Sequence, residues 1–403
     1  LENCLKRTLG VPMFQEQLMQ MVVDAAGCTP TQADRVRRAV GSKRSPERVA
    51  ELRAELYEGM AKTHGITGET ADTIFNLIAA FANFGFAESH SISFALLVYA
   101  SSWLKLRYPA AFCAALLNAQ PMGFYSPQSL VADARRHGVE VLRPDVNLSG
   151  AKAGLEPFGP ANCEPPTSWG RATVRLGLEG VRSIGDDLAE RIETERLANG
   201  PYTDLTDFAL RTGAGATHIE ALSTAGAFDS LGVARREALW AAGAVAQATP
   251  DRIAGTVVGH QAPKLPALEQ IEQTMADLWA TGITVDGHPM EHVRPDLDDD
   301  IVTVAALAAI PDKTRVRVAG VVTHRQQPQT AAGTIFLNLE DETGMLNVIC
   351  SPGAWARHRR IARDSAALII RGRLECAEGV ISLVAETFTR LEMVVGSRSR
   401  DFR

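Results

Sequence analysis

A chain of 403 residues is too long for one compact core, so two to four domains are expected. Its hydrophobic fraction of 46% and charged fraction of 22% are ordinary for a soluble globular protein. A net charge of −6 argues mildly against a dedicated nucleic-acid binder, although the basic residues are clustered. The six cysteines include no CxxC pair, which argues against a zinc knuckle or a disulfide framework.

The sequence also has neither a signal peptide nor an uninterrupted apolar run of ~18 residues. We therefore expect a cytoplasmic protein with reduced thiols and no membrane partner. The chain begins at Leu1, inside an apparently continuing amphipathic segment, so we expect it to be a fragment of a longer protein.

Residues 1–140 have the apolar spacing of helices, interrupted by glycine and proline. The predicted helices run from Pro12 to Gly27, from a cap at Thr31 to Gly41, from Ser45 to about His64, over 69–82 and over 89–107, with shorter ones that begin at Pro109 and Pro127.

The rest of the chain changes character several times. Residues 141–175 are rich in proline and glycine and predict an extended connection with a short hairpin at its end. Short helices are expected over 176–232, and a mixed helical linker over 233–312. Residues 313–392 alternate with period two and predict five strands, with one helix between the third and the fourth. The polar tail at 393–403 is expected to be disordered.

A basic cluster lies near the amino end. The string DRVRRAVGSKR brings four arginines and a lysine into one short span. Arginine forks suit a triphosphate, because phosphoryl transfer depends on spreading charge over the phosphoryl oxygens. From the spacing alone, a solvated basic helix face is the favoured explanation of the cluster.

Residues 77–144 contain the most specific string of the chain, AESHSISFALLVYASSWLKLRYPAAFCAALL. It resembles the fingers region of bacterial C-family DNA polymerases, the alpha subunits of polymerase III, and in detail their error-prone branch. The basic cluster resembles the family's Arg-Arg-Ala-hydrophobic-Gly-Lys motif, which implies that Arg37, Arg38 and Lys43 face the phosphates of the incoming nucleotide. GVPMFQEQLMQ is similar to another family string, so Gln15 either contacts nucleotide or template, or caps a helix.

Ser89 and His90 lie at a predicted loop-to-helix junction. Taken alone, Ser89 is explained as a helix cap and His90 as a structural histidine. The resemblance implies that both contact DNA. Replicative family members commonly have lysine where this chain has Glu88, which should weaken the attraction of the DNA backbone.

LGLEGVRSIGDDLAERI fits a helix-hairpin-helix pattern, with Ser183 in place of its first glycine. We expect Gly185 to allow the tight turn, and Arg182 and Ser183 to lie beside a DNA phosphate at the start of the next helix. A second copy is expected in HIEALSTAGAFDSLG, with Gly226 at its turn. The alternative is an ordinary helical hairpin.

The five-strand pattern after residue 313 follows the order of an OB fold. If Leu337 and Leu339 face the core, Phe336 lies on the open face, where a base can stack. Arg325 and Arg371 are the candidate cations beside it. The alternative is a barrel with Phe336 in its core.

We find no catalytic or metal-binding residues in the chain. The Asp298–Asp300 run is explained as a solvated acidic loop, and the family's palm, with its magnesium-binding aspartates, is expected upstream. The Mg²⁺ of the whole enzyme would then be bound outside this chain, and the fragment alone should not polymerise. No clamp-binding peptide is evident, so the sliding clamp and accessory mutagenesis proteins are expected to act indirectly.

The sequence thus predicts a multidomain α+β protein with helical fingers, a helix-hairpin-helix module and a five-stranded OB-like barrel. The expected domains are fingers at 1–140, a connector at 141–175, tandem hairpins at 176–232, a helical linker at 233–312, the OB fold at 313–392 and a tail at 393–403. The resemblance implies an error-prone DNA polymerase whose partners are dNTP, primer–template duplex and single-stranded template. A replicative alpha subunit and a non-catalytic DNA-binding adaptor are the alternatives.

Overall fold

The computed structural model describes residues 1–40, 45–81, 86–123, 125–157, 172–249, 259, 262–328, 331–393 and 400–402. The chain divides into two compact units, Leu1–Leu106 and Arg107–Arg403. Within the described ranges, no helix has both the length and the apolar character needed to cross a membrane.

The first unit is built from helices, as predicted. They are α1 (Glu2–Leu5), α2 (Gln15–Ala26), α3 (Pro30–Val40), α4 (Ser45–His64), α5 (Gly68–Phe81) and α6 (Glu88–Arg107), which crosses into the second unit. Leu18, Met21, Met60 and Ile78 are among the side chains that form the core between α2, α4 and α5.

Two helix starts differ from the prediction. Thr29, and not Thr31, caps α3, because its Oγ1 accepts the Gln32 N–H at 3.3 Å while Gln32 Oε1 accepts the Thr29 N–H at 2.8 Å. This reciprocal capping box leaves Pro30 at the first helical position, where proline needs no donor. Helix α2 begins at Gln15 and not directly after Pro12.

The segment expected to be an extended connection folds into a small sheet. Strands β1 (Val141–Leu142), β2 (Gly154–Pro157) and β3 (Ala172–Arg175) lie in the order β1-β3-β2, with β2 and β3 antiparallel. Val141 and Val174 pack in one core with Cys113 and Val131 of the two preceding helices, α7 (Pro109–Asn118) and α8 (Pro127–Arg136).

Between the small sheet and the barrel, the described residues form six helices. They are α9 (Asp186–Asn199), α10 (Leu205–Thr212), α11 (Ala216–Ala225), α12 (Arg235–Val245), α13 (Gln270–Ala280) and α14 (Pro289–Val293). Phe208 and Phe228 are almost completely buried at the centre of this region. Ala242 of α12 and Ala280 of α13 belong to the same core, which therefore extends across the boundary expected at residue 232.

The carboxyl-terminal part is a closed barrel with the predicted five strands and intervening helix. Its elements are β5 (Arg315–Gln326), β6 (Ile335–Asp341), β7 (Gly344–Cys350), α15 (Pro352–Asp364), β8 (Ala367–Ala377) and β9 (Val380–Arg390), preceded by β4 (Ile301–Val302) and followed by β10 (Arg400–Phe402). The barrel order is β5-β6-β7-β9-β8, and β8 pairs back with β5. Strand β10 pairs with β5, so this part of the tail is a strand where disorder was expected.

Glycine permits close strand crossing in the barrel. A Cβ added at Gly320 would lie 2.7 Å from the Glu340 carbonyl oxygen, and one at Gly372 would meet the backbone of Val384. These contacts explain why the two positions tolerate no larger residue without a shift of the neighbouring strand.

Candidate nucleic-acid interface

The basic cluster begins on α3. Arg38 is exposed and its guanidinium pairs with Asp34 at 2.7 Å, one helical turn away. Arg35 is also exposed. The side chain of Arg37 and the whole of Lys43 lie outside the described residues. The structure therefore does not test whether these two residues and Arg38 bind phosphates together.

Two glutamines of α2 have different environments. Gln17 is only 4% exposed. Its Oε1 accepts the Met13 and Phe14 N–H groups at 2.8 and 3.0 Å, and its amide donates to the Cys4 carbonyl, so Gln17 is a structural cap. Gln15 is half-buried, and its backbone N–H donates to the Phe86 carbonyl at 2.9 Å.

Helix α6 starts at Glu88, so Ser89 lies inside the first turn and does not cap the helix. Ser89 and His90 are both exposed. The His90 ring packs edge-on against Phe94, with centroids 4.6 Å apart, and lies 5.0 Å from Phe86. Glu88 pairs with Arg7, so part of the negative charge expected to repel DNA is neutralised within the unit.

The first hairpin lies where the sequence predicts it, but its strained residue is different. Ser183 adopts a left-handed φ of +65°, whereas Gly185 has an extended backbone with φ −81°. Ile184 between them is buried, and Gly185 caps α9 without any side-chain hydrogen bond. The first amides of α9 therefore remain available to an anion.

The second hairpin is not at Gly226, which ends α11. It lies between α10 and α11, at Gly213-Ala214-Gly215. Gly213 has φ +67° and Gly215 has φ −79°, close to the values at Ser183 and Gly185, and Ala214 is buried like Ile184. The Gly-hydrophobic-Gly spacing in the sequence was the signal that could have located this turn.

The two hairpins differ in charge. Asp186 and Asp187 occupy the first turn of α9, whereas the first turn of α11 has no acidic residue. Arg191 of α9 is exposed and donates to the Thr212 carbonyl at 3.1 Å, which places a guanidinium beside the second turn. The second hairpin is therefore the better anion site of the two.

A tryptophan holds the arginine of the first hairpin. The Arg182 guanidinium carbon lies 4.7 Å from the centroid of the Trp279 ring, a cation–π contact. The Arg182 N–H donates to the Ala280 carbonyl at 2.7 Å, which attaches the hairpin to the end of α13. Sequence inspection missed Trp279 because it lies far from the hairpin in the chain.

On the barrel, Leu337 and Leu339 are fully buried and Phe336 is half-buried, as the alternation of β6 predicts. Arg325 is different: it is 6% exposed and pairs in register with Leu337, on the inner side of β5. Its guanidinium donates to the Ala362 carbonyl at 2.9 Å and to that of Ser365. Arg325 therefore secures the end of α15 and is not a surface cation.

The other barrel arginines fall into two groups. Arg371 is exposed, and in the described part of the chain no carboxylate pairs with it. Arg317 instead pairs with Asp298 at 3.0 Å and with Asp300 at 2.6 Å. Asp298 and Asp300 of the acidic run are therefore both engaged by a guanidinium of the barrel.

Ion pairs attach the barrel to the helices before it. Arg136 of α8 reaches Glu340, whose carboxyl is 3% exposed, at 3.4 Å, and Arg294 pairs with Asp341 at 3.2 Å. Burial raises the pKa of Glu340, while Arg136 opposes that rise. At the same junction, burial lowers the pKa of His288, the cap of α14, to about 4.

A second charged junction lies around Asp277 of α13. Asp277 of α13, whose side chain is 3% exposed, accepts Arg143 at 3.2 Å and Arg235 of α12 at 2.8 Å. Arg143 also pairs with the exposed Asp286 at 2.7 Å. One buried carboxylate thus joins the small sheet to α12 and α13.

Comparison with known families gives three consecutive matches. The bacterial DNA polymerase III alpha subunit finger domain matches residues 1–64, a helix-hairpin-helix motif matches residues 138–238, and an OB-fold nucleic acid binding domain matches residues 316–391. These three matches follow the order predicted for the C-terminal portion of an alpha subunit.

Curated relatives extend the similarity over the whole chain. Proteins named error-prone DNA polymerase from Mycolicibacterium paratuberculosis and Nocardia farcinica are each 55% identical over 100% of this chain. The chain belongs to the bacterial DNA polymerase III alpha subunit family. Within that family it resembles the error-prone branch, as predicted, and a Corynebacterium glutamicum protein of the same name is 49% identical over 100% of the chain.

The chain spans only 36%, 35% and 37% of the lengths of these three alpha-family relatives. Among solved structures, asparaginyl-tRNA synthetase from Pyrococcus horikoshii matches 24% of the chain at 20% identity, with a TM-score of 0.20. At that TM-score the likeness decides neither fold nor function.

Proposed function

We propose that this chain is part of an error-prone DNA-directed DNA polymerase, in which it holds DNA and the incoming nucleotide. The observation that carries the proposal is the identity of 55% with error-prone DNA polymerases along the whole chain. The carboxylates and Mg²⁺ that perform the transfer would lie in another part of the protein, since the acidic run of this chain is engaged by Arg317.

Duplex DNA is proposed to contact the two hairpins. Their matched backbones present the starts of α9 and α11, where a glycine N-cap brings no side chain to the first helical amides, so these amides can bind phosphates without reading sequence. In the second hairpin, the Gly215 N–H is already taken, because it donates to His218 Nδ1 at 3.2 Å. Arg182, Ser183 and Gly185 form the first contact. Arg191, Gly213 and Gly215 form the second, which the acid-free first turn of α11 favours.

Single-stranded template is proposed to contact the barrel. The half-buried Phe336 offers an aromatic surface on the outer side of β6, and Arg371 offers an exposed cation. Ser89 and His90 remain proposed DNA contacts of the fingers, because both are exposed at the start of α6.

The incoming nucleotide is proposed to contact Arg37, Arg38 and Lys43, with Gln15 nearby. Only Arg38 of the three cations has a described side chain, and its position on the exposed side of α3 is compatible with that role. Crosslinking of an azido-dNTP to the 35–44 segment, competed by unlabelled dNTP, tests this assignment. The non-catalytic adaptor predicts no such crosslink.

The duplex contacts are tested by titrating a labelled primer–template at several salt concentrations. The salt slope is the steepness with which log K for binding falls as log salt concentration rises. Arg182→Gln and Arg191→Gln should each lower this slope by about 0.9, the value for one lost contact with a duplex phosphate. Arg315→Gln is the matched control, since this barrel arginine is exposed and already paired with Glu386 at 2.9 Å. Equal slopes for all four proteins would reject the hairpin assignment.

The replicative alternative differs in its partners. A replicative alpha subunit would bind the sliding clamp directly, whereas the proposed error-prone enzyme relies on accessory mutagenesis proteins. Pull-down of the purified clamp by this chain, without other proteins, would favour the replicative alternative.

A further inference from the structure

Helix α15 has one buried side and one cationic side. Ala354 and Ala362 are buried against the barrel, and the His358 ring lies 5.7 Å from Phe388 of β9. The opposite side carries four exposed arginines: Arg357, Arg359, Arg360 and Arg363. Helical spacing places all four on the surface that faces away from the barrel.

These arginines differ from the others of the barrel in their partners. Arg315, Arg317 and Arg373 each pair with a carboxylate within 3.1 Å. In the described part of the chain, by contrast, no carboxylate pairs with Arg357, Arg359 or Arg360, and Arg363 pairs with its neighbour Asp364 at 3.3 Å. Although the chain has a net charge of −6, this exposed face carries a local positive potential that can attract an anionic ligand.

The four arginines also line one surface depression of about 470 Å³, together with Ala356 and Asp364. Four of its six lining residues are arginines, beside one alanine and one carboxylate. Guanidinium forks bind phosphate oxygens in pairs and are weakly hydrated, so the lining suits phosphodiester groups better than an apolar or cationic ligand.

The position of α15 connects this face with Phe336. Phe336 pairs in register with Ile349 on β7, and α15 begins three residues later at Pro352. Gly333, in the loop before β6, lies against Pro352, where an added Cβ would come within 3.5 Å. The aromatic side chain and the first turn of the basic helix therefore share one end of the barrel.

The other end of the β6 outer face is closed. Glu340 is 2% exposed beneath Arg136, and His324, which pairs with Asn338, is 5% exposed beside Tyr125. A strand that stacks a base on Phe336 thus cannot continue towards Glu340, and the open direction leads towards α15.

We propose that the arginine face of α15 binds the phosphodiester backbone of the DNA single strand whose bases reach Phe336. The inference rests on the proposed function and adds a binding surface to it. The helix rises about 1.5 Å per residue, so Arg357 and Arg363 are about 9 Å apart along the axis, enough for two or three consecutive phosphates.

The test compares two triple variants of the whole chain with equal net charge. R357Q/R359Q/R360Q removes the arginines without a carboxylate partner, and R315Q/R317Q/R373Q removes three paired ones. Binding of a fluorescent 30-nucleotide poly(dT) and of a duplex is measured by anisotropy between 50 and 300 mM KCl. Thermal unfolding of each variant verifies that the fold is retained.

We expect the α15 variant to lose at least ten-fold in single-strand affinity and about 1.4 to 2 in salt slope, at about 0.7 per phosphate. The paired-arginine variant should change the slope by less than 0.7. Wild-type chain that binds no DNA would overturn the proposed function together with this inference. Wild-type binding with an unchanged α15 variant would overturn the inference alone.

Two further outcomes count against the inference. A loss of affinity confined to the duplex would show that α15 contacts double-stranded DNA and not the single strand that reaches Phe336. Competition by polyglutamate at the same charge concentration as poly(dT) would show a general polyanion surface, because phosphate-specific forks should prefer the phosphodiester.

Discussion

At the scale of single residues, the hairpins depend on one left-handed position in each turn. Ser183 holds φ +65° and Gly213 holds φ +67°, whereas the glycines two positions later are extended. A side chain at a left-handed position costs about 1–2 kcal/mol. The first hairpin accepts that cost at Ser183, and the second avoids it with glycine.

Gly213→Ala should therefore destabilise the chain by about 1 kcal/mol or more, because alanine must adopt the left-handed backbone. Gly185→Ala is the matched control: its φ is −81° and no atom lies within 4 Å of an added Cβ, so its stability should change by less than about 0.5 kcal/mol. Urea unfolding measures both. A greater loss of stability in Gly185→Ala than in Gly213→Ala would contradict the equivalence of the two turns.

A second residue-scale prediction concerns Asp277. Asp277→Asn should destabilise by about 3–5 kcal/mol, because it leaves the mostly buried guanidinium of Arg235 without its carboxylate and also removes the buried partner of Arg143. Asp286→Asn removes an exposed partner of the same Arg143 and should cost less than about 1 kcal/mol. The measurement is the difference in urea midpoint between the two variants. Equal midpoints would show that the buried carboxylate of Asp277 stabilises the fold no more than the exposed one of Asp286.

At the scale of elements, signals local to a few residues predicted most of the fold. Proline at the first helical position located α7 and α8, and period-two alternation located the five strands and the side of Phe336. Contacts between distant segments were not predictable. Arg325 alternates like a surface residue, but the register shift between Val322 and His324 turns it inward, and only the packed barrel reveals this.

The cap of α14 gives an element-scale prediction of pH dependence. Folded His288 has a pKa of about 4 because it is buried, whereas the unfolded chain binds the proton near the ordinary value of 6.5. Acid therefore favours the unfolded state between these values, and stability is lost as the pH falls. From pH 7 to pH 5 this histidine should cost about 2 kcal/mol.

The measurement is urea unfolding of the wild type and of His288→Asn at both pH values. Asparagine keeps an acceptor for the Met290 N–H but does not titrate, so the variant should lose about 2 kcal/mol less than the wild type on acidification. Equal losses of stability in the wild type and in His288→Asn on acidification would refute the role of His288.

At the scale of the whole molecule, the cores do not follow the domain boundaries expected from composition. The residues predicted as a connector pack with α7 and α8, and the hairpin core includes Ala242 and Ala280 of the predicted linker. Composition marks where proline and glycine are frequent, but burial depends on which distant side chains meet. The hairpins and the barrel, which carry the proposed DNA contacts, therefore belong to one compact unit, Arg107–Arg403.

The whole chain should bind primer–template without extending it. Two-metal transfer needs carboxylates that converge on the nascent bond, and the described residues contain no such cluster. With Mg²⁺ and all four dNTPs, the purified chain should yield no product above a protein-free reaction, while the same preparation shifts primer–template in a gel. Chelator-sensitive incorporation would contradict this, and loss of that incorporation in D298N/D300N would assign it to the acidic run that Arg317 otherwise neutralises.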